Sequence, residues 1–337
     1  MVNILVTGGA GFIGGNFVQY MLKKYPSYNI YNMDYLTYAG DLTKHEAIEN
    51  MENYFFLKVD ISNRDGINTI FKEYKFDFVV HFAAESHVDR SITDPGIFVQ
   101  TNVVGTQVLL DAAKQFGITK FVHVSTDEVY GDLEFDPTTF FTEDTPLQPN
   151  SPYSASKASS DLLVRAYHET FDLPVNITRC SNNYGPYHFP EKLIPLTISR
   201  VLNDQTVPIY GDGRNIRDWL HVIDHCSAID LVMHKGINGE VYNIGGHNER
   251  TNLEVVKTII KTLGKSEELI EYVTDRLGHD KRYAINPTKL EQLGWNPTYT
   301  FETGIAQTIQ WYVDNKKWWE QIISGEYKNY FEKQYTN

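Results

Sequence analysis

Cysteine and long apolar runs are both scarce in this sequence. Its 337 residues include only two cysteines, Cys180 and Cys226, which supply neither a disulfide framework nor the spacing of a zinc site. No apolar run approaches the roughly 20 residues of a membrane span, and the N-terminal residues lack the basic and apolar regions of a signal peptide. We therefore predict a cytoplasmic protein without a bound metal and without a membrane partner.

Positive charge is scarce as well. Thirty Lys and Arg residues stand against 43 Asp and Glu residues, which gives a formal net charge of −13. A nucleic-acid-binding surface requires a basic stripe, so we predict no nucleic-acid partner. An anionic small molecule remains compatible with this charge, because a local cluster of Arg and Lys can bind one inside an acidic protein. The length fits one large domain with a smaller lobe.

The first half of the chain alternates between strand-like and helix-like segments. The strand-like runs are nearly continuous in apolar residues, as in a parallel sheet that is covered on both faces. They are Ile4–Val6, Asn29–Met33, Phe55–Val59, Phe78–Phe82, Phe121–Val124 and Val175–Thr178. Helical patterns between them cover Phe12–Tyr25, Asp65–Tyr74, Gly96–Phe116 and Tyr153–Phe171. This alternation predicts an α/β fold with a doubly wound parallel sheet, the Rossmann arrangement.

The regular alternation of strand-like and helix-like segments ends after Arg179, where loop signals mix with shorter helical patterns. These patterns cover Leu193–Leu202, Val222–His234, Asn252–Leu263 and Glu302–Asn315. The strand-like run Val241–Ile244 precedes two glycines and is compatible with a return to the main sheet. We therefore predict a first domain over 1–180, to which 222–246 returns, and a smaller, discontinuous C-terminal domain that comprises 181–221 and 247–337.

A glycine-rich loop follows the first predicted strand directly. In the segment Gly8–Gly14 the glycines let backbone N–H groups approach a pyrophosphate, and the next helix begins there with unpaired N–H groups. An ordinary tight turn would carry glycines too. The strand–loop–helix context favours dinucleotide binding, with Gly8, Gly11 and Gly14 as the contact residues.

Two carboxylates at strand ends extend this prediction. Asp34 ends the second strand about 20 residues after the loop, where a ribose-binding carboxylate belongs. The residues that follow, Tyr35, Leu36 and Thr37, include no arginine for a 2′-phosphate, so the pattern favours NAD over NADP. Asp60 closes the third strand; it is placed either to accept a hydrogen bond from adenine or simply to cap the strand end.

Tyr153 and Lys157 lie one helical turn apart and share a helix face. A free tyrosine has a pKa of about 10, too high for a good base at neutral pH. We expect the Lys157 ammonium to lower the pKa of Tyr153, so that the phenol can accept a proton from an alcohol. An exposed Tyr–Lys pair without function would give the same pattern.

An acidic pair follows the fifth strand-like run. Thr126, Asp127 and Glu128 stand at the carboxyl end of that strand, the edge where open α/β sheets bind ligands. Two adjacent carboxyl groups can have their pKa values pushed apart, so that one stays protonated. Such a pair favours removal of water in addition to oxidation, although a solvated loop is the plain alternative.

These motifs resemble the extended short-chain dehydrogenase/reductase family over nearly the whole chain. The segment Thr126-Asp127-Glu128 narrows the resemblance to its dTDP-glucose 4,6-dehydratases, because epimerases and decarboxylases of the family lack the adjacent acid pair. The other matching segments are Gly8–Gly14, Asp34–Gly40, Ala83–Ser91, Tyr153–Lys157, Arg179–Pro186, Arg217–Trp219 and Arg276–Asp280.

The resemblance implies a lyase that takes part in dTDP-rhamnose biosynthesis. It implies NAD-dependent oxidation of dTDP-glucose at C4, loss of water across C5 and C6, and reduction at C6 to dTDP-4-keto-6-deoxyglucose. Tyr153 would deprotonate the 4-hydroxyl with Lys157 beside it, while Thr126 hydrogen-bonds that hydroxyl. Glu128 would remove the C5 proton, and protonated Asp127 would donate to the departing 6-hydroxyl.

The resemblance also implies binding residues and an assembly. The cofactor residues beyond those named above are Phe12, Ile13, Ile61, Phe82, Ala83, Ala84, Ser86, Thr101 and Asn183. The implied substrate residues are Ser86, Thr126, Asn182, Lys192, Leu193, Pro208, Ile209, Tyr210, Arg217, Asn252, Asp275, Arg276 and His279. Arg217 suits a diphosphate, but a surface salt bridge would also explain it. The helices Gly96–Phe116 and Tyr153–Phe171 would form a homodimer interface.

Three alternatives stay open at this point. A nucleotide-sugar 4-epimerase would use the same tyrosine and cofactor but has no need of Asp127 and Glu128 as a pair. A UDP-glucose 4,6-dehydratase would share every motif, since the preference for dTDP rests on the resemblance. A catalytically silent NAD-binding sensor would keep the glycine loop without the catalytic residues.

Overall fold

The computed structural model describes residues 2–275 and 278–324, which form two lobes around one long cavity. The strands are β1 (Val2–Thr7), β2 (Tyr28–Met33), β3 (Tyr54–Leu57), β4 (Phe78–His81), β5 (Lys120–Thr126), β6 (Val175–Cys180), β7 (Asn182–Tyr184), β8 (Val207–Tyr210), β9 (Ile216–His221), β10 (Val241–Ile244), β11 (Glu249–Thr251) and β12 (Ile270–Val273).

Helices flank these strands in both lobes. They are α1 (Phe12–Lys24), α2 (Arg64–Tyr74), α3 (Val88–Thr93), α4 (Pro95–Phe98), α5 (Thr106–Phe116), α6 (Pro152–Phe171), α7 (Leu193–Leu202), α8 (Val222–Lys235), α9 (Asn252–Thr262), α10 (Thr288–Gln292), α11 (Phe301–Asp314) and α12 (Lys316–Ser324). No helix within the described ranges has both the length and the apolar character required to cross a membrane.

The main sheet is parallel and has the order β3-β2-β1-β4-β5-β6-β10. Its strands are buried on both faces, which is why their apolar runs are nearly continuous in sequence. The strand order reverses between β1 and β4, and a crevice for a ligand lies at such a reversal. The predicted doubly wound sheet is confirmed.

Strand β10 lies at one edge of this sheet, in register with β6 through Val241 and Ile177. Helix α8 packs on the same sheet, since Cys226 and Ile229 share an apolar cluster with Val6 of β1. The segment 222–246 is therefore in contact with the first lobe. The exact domain boundaries that we drew from the sequence stay a prediction.

The predicted helix over Gly96–Phe116 is confirmed as helical, but part of it is not an α-helix. After α4, the segment Val99–Gly105 forms a π-helix, and the α-helix α5 begins only at Thr106. Gly105 lies so close to Ile61 that an added Cβ would stand 2.6 Å from the Ile61 side chain. Apolar spacing predicts a helical face but does not distinguish the wider π turn from an α turn, which explains the difference.

The second lobe contains two small sheets that the sequence did not predict. Strands β11, β9 and β7 form one of them, and β12 pairs with β8 in the other. Their runs are short and interrupted by charged residues such as Arg217 and Asp218, so they lack a clear strand period. The helices α7, α9 and α11 pack around Tyr184 and Trp219 of these sheets and form a separate core.

Candidate active site

A cavity of about 470 Å³ lies at the carboxyl edge of the main sheet, between the two lobes. It brings together the glycine loop, the ends of β2, β4 and β5, the start of α6 and several segments of the second lobe. The predicted site residues that line it are Gly8, Gly11, Phe12, Ile13, Gly14, Asp34, Tyr35, Thr37, Asp60, Ile61, Phe82, Ala83, Ala84, Ser86, Thr101, Thr126, Asp127, Glu128, Tyr153, Lys157, Asn182, Asn183, Lys192 and Leu193.

The other predicted residues do not line this cavity. They are Leu36, Pro208, Ile209, Tyr210, Arg217, Asn252, Asp275 and His279, while Arg276 lies outside the described residues. Three of them form a group of their own in the second lobe. His279 lies 2.6 Å from Asp275, measured from Nδ1 to Oδ1, and the ring of Tyr210 is 6.1 Å from the His279 ring.

The glycine loop has the geometry of a dinucleotide cradle. Gly8 has a left-handed φ of 71°, and an added Cβ would lie 2.6 Å from the backbone nitrogen of Ala83. A Cβ on Gly14 would lie 2.3 Å from the carbonyl oxygen of Gly8. Side chains are therefore excluded at both positions, and helix α1 can begin directly at the loop, with its N–H groups available to a phosphate.

Asp34 lies at the end of β2, as a ribose-binding carboxylate requires. Its two oxygens accept hydrogen bonds from the backbone N–H groups of Ala10 (3.0 Å) and Leu36 (2.8 Å). Burial raises the pKa of Asp34, although these N–H groups oppose the shift. Leu36 thus contributes its main chain to the geometry of the loop, and this is consistent with its absence from the cavity lining.

Asp60 caps a segment end and also lies in the cavity wall; its contact with adenine stays a prediction. Its Oδ1 accepts hydrogen bonds from the backbone N–H and the hydroxyl of Ser62, each at 2.8 Å, so it caps the end of its segment. The same residue lines the cavity.

The acidic pair begins a short 3₁₀ turn directly after β5. The hydroxyl of Thr126 accepts a hydrogen bond from the backbone N–H of Glu128 (3.3 Å) and caps this turn. The turn ends at Gly131, whose φ of 96° and close approach to the carbonyl oxygen of Gln148 exclude a side chain. The cap and this glycine fix the two carboxyl groups at the sheet edge.

Asp127 is buried, with 2% of its surface exposed. Burial, and next the negative charge of Glu128, hold the pKa of Asp127 well above its usual range, although Arg217 acts in the opposite direction. Its Oδ2 has no hydrogen-bond partner among the described residues. The carboxyl group is therefore suited to remain protonated at neutral pH and to donate a proton into the cavity.

Glu128 is less buried than Asp127, and helix α6 holds its carboxylate in place. It accepts a hydrogen bond of 3.2 Å from the hydroxyl of Ser154, which lies in the first turn of α6. The N-cap residue Ser151 in turn accepts from the backbone N–H of Ser154 at 3.0 Å. The start of α6 thus positions a carboxylate beside Tyr153, the residue that precedes Ser154.

Tyr153 and Lys157 are both buried in the cavity wall. Lys157 donates a hydrogen bond of 2.9 Å to the carbonyl oxygen of Val124, and burial lowers the pKa of Lys157 to about 8. The pKa of Tyr153 is raised well above its ordinary value by burial and then by Glu128. The expected lowering of the Tyr153 pKa is therefore wrong for the chain alone, because burial and the acidic pair dominate.

Arg217 is neither exposed nor in a surface salt bridge. Its guanidinium donates to the carbonyl oxygens of Ile216 (2.7 Å) and Asp280 (2.9 Å) and lies 4.1 Å from the ring centroid of Tyr283. No ion pair of Arg217 is found within residues 2–275 and 278–324. The surface alternative is wrong, and a positive charge lies close enough to Asp127 to influence its pKa.

Asn102 is a positioning residue that the sequence analysis missed. Its side chain exchanges hydrogen bonds with the backbone of Glu85 (2.9 and 3.0 Å) and donates to Ser156 (2.8 Å). Ser156 donates to the carbonyl oxygen of Tyr153 at 2.7 Å. Asn102 lies in the π segment, so the unpredicted π turn links the cavity wall at Glu85 to the helix of the tyrosine.

Several cavity residues lie outside the motifs that the sequence analysis identified. Lys44 donates a hydrogen bond of 2.8 Å to the carbonyl oxygen of Gly11. His188, Glu191 and Trp318 reach the same cavity from the second lobe. Contacts between distant segments bring these residues to the site, and no local pattern in the sequence indicates such contacts.

Comparisons with known proteins agree with this geometry. A family model described as GDP-mannose 4,6 dehydratase matches residues 5–308. The chain is 52% identical over 347 residues to the dTDP-glucose 4,6-dehydratase of Xanthomonas campestris pv. campestris (strain B100), and the match covers 97% of this chain and 98% of that protein.

Two solved structures are similar over nearly the whole chain. The dTDP-glucose 4,6-dehydratase of Bacillus anthracis str. Ames, in complex with NAD, has 55% identity and a TM-score of 0.89, covering 96% of this chain and 100% of that chain. DesIV, the dTDP-glucose 4,6-dehydratase of Streptomyces venezuelae, was solved with NAD and dTDP bound. It has 47% identity and a TM-score of 0.92, and the match covers 95% of this chain and 100% of that chain. The chain therefore belongs to the GDP-mannose 4,6-dehydratase family within the extended short-chain dehydrogenases/reductases.

Proposed function

We infer that this chain catalyses the NAD-dependent 4,6-dehydration of dTDP-glucose and is a hydro-lyase. The observation that carries this inference is the arrangement of Asp127, Glu128 and Tyr153 in one cavity with a dinucleotide loop. The buried Asp127 is suited to donate a proton and the less buried Glu128 to accept one, so the pair has two distinct chemical roles. Relatives with this name match nearly the full length of the chain.

The residues present fit NAD. Gly8 and Gly14 let the loop pack closely against Ala83 and the start of α1, whose N–H groups suit a pyrophosphate, and Asp34 lies where the ribose hydroxyls belong. We propose that Phe12, Ile13, Asp60, Thr101 and the other predicted cofactor residues of the cavity complete the site. NAD, when bound, supplies the acceptor for the hydride from C4, returns this hydride to C6, and adds a positive charge to the cavity.

Tyr153 and Lys157 act on the 4-hydroxyl in this proposal. Tyr153 accepts its proton while Thr126 hydrogen-bonds the same hydroxyl. The raised pKa of Tyr153 means that the phenolate requires positive charge beside it. Lys157 supplies part of this charge when it is protonated, and its hydrogen bond to Val124 fixes its position.

The acidic pair then removes water. The 4-ketone makes the C5 proton acidic, and Glu128 accepts this proton. Asp127 donates its proton to the 6-hydroxyl, which departs as water. Glu128 returns a proton to C5 as C6 is reduced. A well-placed general acid or base contributes about 10²–10⁴-fold to such steps, so each carboxyl group is essential at physiological rates.

The substrate is assigned to two groups of residues. We propose that Ser86, Asn182, Lys192 and Leu193, which line the cavity, contact the sugar and the diphosphate. Lys192 already lies 3.3 Å from the carbonyl oxygen of Ser86. The second-lobe residues Pro208, Ile209, Tyr210, Arg217, Asn252, Asp275 and His279 would hold the nucleotide. In the proposed division into a cofactor domain and a substrate domain, Ser86 belongs to the first, whereas Asn182, Lys192, Leu193 and the whole second group belong to the substrate domain.

A homodimer and a cytoplasmic location are further parts of the proposal. Val99 and Leu162 expose 52% and 58% of their surface on the segments predicted to pair two chains, which favours burial by a second copy. Both cysteines are free, in agreement with a reducing compartment. Sedimentation of the purified chain at the mass of one chain would contradict the dimer.

Incubation with dTDP-glucose and, separately, with UDP-glucose tests the proposed reaction. The dehydratase predicts a 4-keto-6-deoxy product, formed faster from dTDP-glucose. Formation of dTDP-galactose would show a 4-epimerase instead, and faster dehydration of UDP-glucose would overturn the base preference. Binding of NAD without any turnover would favour the sensor.

A further inference from the structure

Trp318 of α12 forms a hydrogen bond across the two lobes. Its indole Nε1–H donates to Oδ2 of Asp41 at 2.7 Å. Asp41 belongs to the segment after β2 in the first lobe, whereas α12 packs on the second lobe. Both residues line the cavity that holds the glycine loop. One contact thus connects the last described helix with the dinucleotide side of the cavity.

The Asp41 end of this contact is fixed to the glycine loop. The backbone N–H of Asp41 donates to the carbonyl oxygen of Ala10 at 2.9 Å, and Lys44, three residues later, donates to that of Gly11 at 2.8 Å. Thr43 donates to both carboxylate oxygens of Asp41. Burial raises the pKa of Asp41, but the hydrogen bonds of Thr43 and Trp318 bring it below its usual value, so the bond from Trp318 is charge-assisted.

The Trp318 end is fixed to the second lobe. The next residue, Trp319, is 1% exposed, and its Nε1–H donates to the carbonyl oxygen of Tyr312 in α11 at 2.9 Å. The ring of Trp318 contacts those of Trp311 and Tyr187, with centroids 5.3 and 5.5 Å apart. The indole is therefore held in place before it meets Asp41, and little side-chain entropy is lost in the contact.

We propose that the contact between Trp318 and Asp41 is a latch that keeps NAD in its cavity between turnovers. The inference rests on the proposed function, in which the hydride removed at C4 returns at C6. The cofactor is regenerated within each cycle, so exchange with solvent brings no benefit. A lobe-bridging contact at the cavity wall slows such exchange, because both lobes must separate locally before a dinucleotide can leave.

Substitution of Trp318 by phenylalanine removes the donor and retains an aromatic ring. The purified chain is loaded with NAD, passed through a desalting column, and assayed for NAD retained per chain and for the rate of NAD release. The latch predicts release on the order of 10-fold faster in W318F, the effect of one charge-assisted hydrogen bond. Trp295→Phe is the matched control, since it removes an indole hydrogen bond to Ser227 at a residue that does not line the cavity.

Asp41→Ala removes the acceptor of the same hydrogen bond, which lies on the first lobe. Asp41→Ala also removes the bonds from Thr43. Both substitutions remove the bond between Trp318 and Asp41, so the double variant should release NAD no faster than Asp41→Ala alone. Equal release from W318F, W295F and the unsubstituted chain would overturn the latch. Additive effects of W318F and Asp41→Ala would overturn it too. If W318F fails to fold, as thermal unfolding without NAD would reveal, Asp41→Ala compared with Thr43→Ala gives the test, because only the first removes the acceptor of Trp318.

The failure of the latch is distinct from the failure of the proposed function. An unsubstituted chain that retains no NAD and converts no dTDP-glucose would contradict the function. An unsubstituted chain that retains NAD and forms the 4-keto product, together with a W318F variant that retains NAD equally well, contradicts only the latch.

Discussion

Ser154 donates a hydrogen bond of 3.2 Å to the carboxylate of Glu128. The bond joins the turn that carries the acidic pair to the first turn of α6, which carries Tyr153. The groups that we propose for oxidation and for elimination are therefore linked by one contact. Both steps act on adjacent carbons of one sugar, and this shared support explains how a single bound substrate can meet all of these groups.

Replacement of Ser154 by alanine tests this support. We expect kcat to fall about 10-fold, because a hydrogen bond to a charged group contributes roughly 1.5–3 kcal/mol and orients the base. KM should change little, since Ser154 is not among the proposed substrate residues. Ser159→Ala on the same helix is the control, because the exposed Ser159 donates only to the carbonyl oxygen of Ala155. Equal kcat values for the two variants would contradict the role of Ser154.

Glu128→Gln tests the base at C5. The amide cannot accept the C5 proton, so loss of deuterium from C5-deuterated dTDP-glucose to solvent should slow by about 10²–10⁴-fold. The first oxidation should still occur, because Tyr153 is retained. The exposed Glu52→Gln serves as control for the substitution itself. Wash-out of the deuterium at an unchanged rate would refute Glu128 as the base.

Asp127→Asn tests the acid. Asparagine keeps the size and hydrogen-bonding capacity of the side chain but has no carboxyl proton for the leaving hydroxyl. Formation of the 6-deoxy product should fall by about 10²–10⁴-fold, as measured by mass spectrometry. The exposed Asp144→Asn should retain full activity. An Asp127→Asn variant that releases water at the normal rate would assign the acid to another group.

Lys44 predicts a pH dependence of stability in the chain without NAD. Burial lowers the pKa of Lys44 from 10.5 to about 8. Between these values the unfolded chain binds a proton that the folded chain does not, so this group makes the free energy of unfolding rise with pH, by at most about 1.4 kcal/mol per pH unit.

The comparison with Lys44→Met isolates this contribution. Relative to the variant, the unsubstituted chain should gain stability as pH rises from about 8 to about 10 in urea unfolding experiments. The exposed Lys58→Met gives the control difference. A difference between the unsubstituted chain and Lys44→Met that stays constant over this range would contradict a buried, hydrogen-bonded ammonium at the glycine loop.

The sequence predicted the main sheet because its strands are buried on both faces and therefore have nearly continuous apolar runs. It also predicted the glycine loop, Asp34 and the acidic pair, since each depends on residues adjacent in the chain. The π segment at Val99–Gly105 escaped prediction, because its apolar face resembles that of an α-helix. The small strands of the second lobe also escaped prediction, because charged residues interrupt their short apolar runs.

Other features depend on distant contacts. Lys44 and Trp318 reach the cavity only through the packing of separate segments, so no motif marks them. The pKa of Tyr153 was predicted in the wrong direction, because the sequence places Lys157 one turn away but does not reveal how deeply the phenol is buried. Short-range patterns therefore identified the chemistry, and tertiary packing determined its electrostatics.

The fate of deuterium in dTDP-glucose labelled at C4 tests the central claim most directly. The purified chain with NAD should yield dTDP-4-keto-6-deoxyglucose that carries the deuterium at C6, as NMR of the product would establish. This result requires oxidation at C4, elimination of water across C5 and C6, and return of the same hydride, the steps that we assign to Tyr153, Asp127 and Glu128. A product that keeps its 6-hydroxyl, with deuterium still at C4 and the configuration of galactose, would contradict the account.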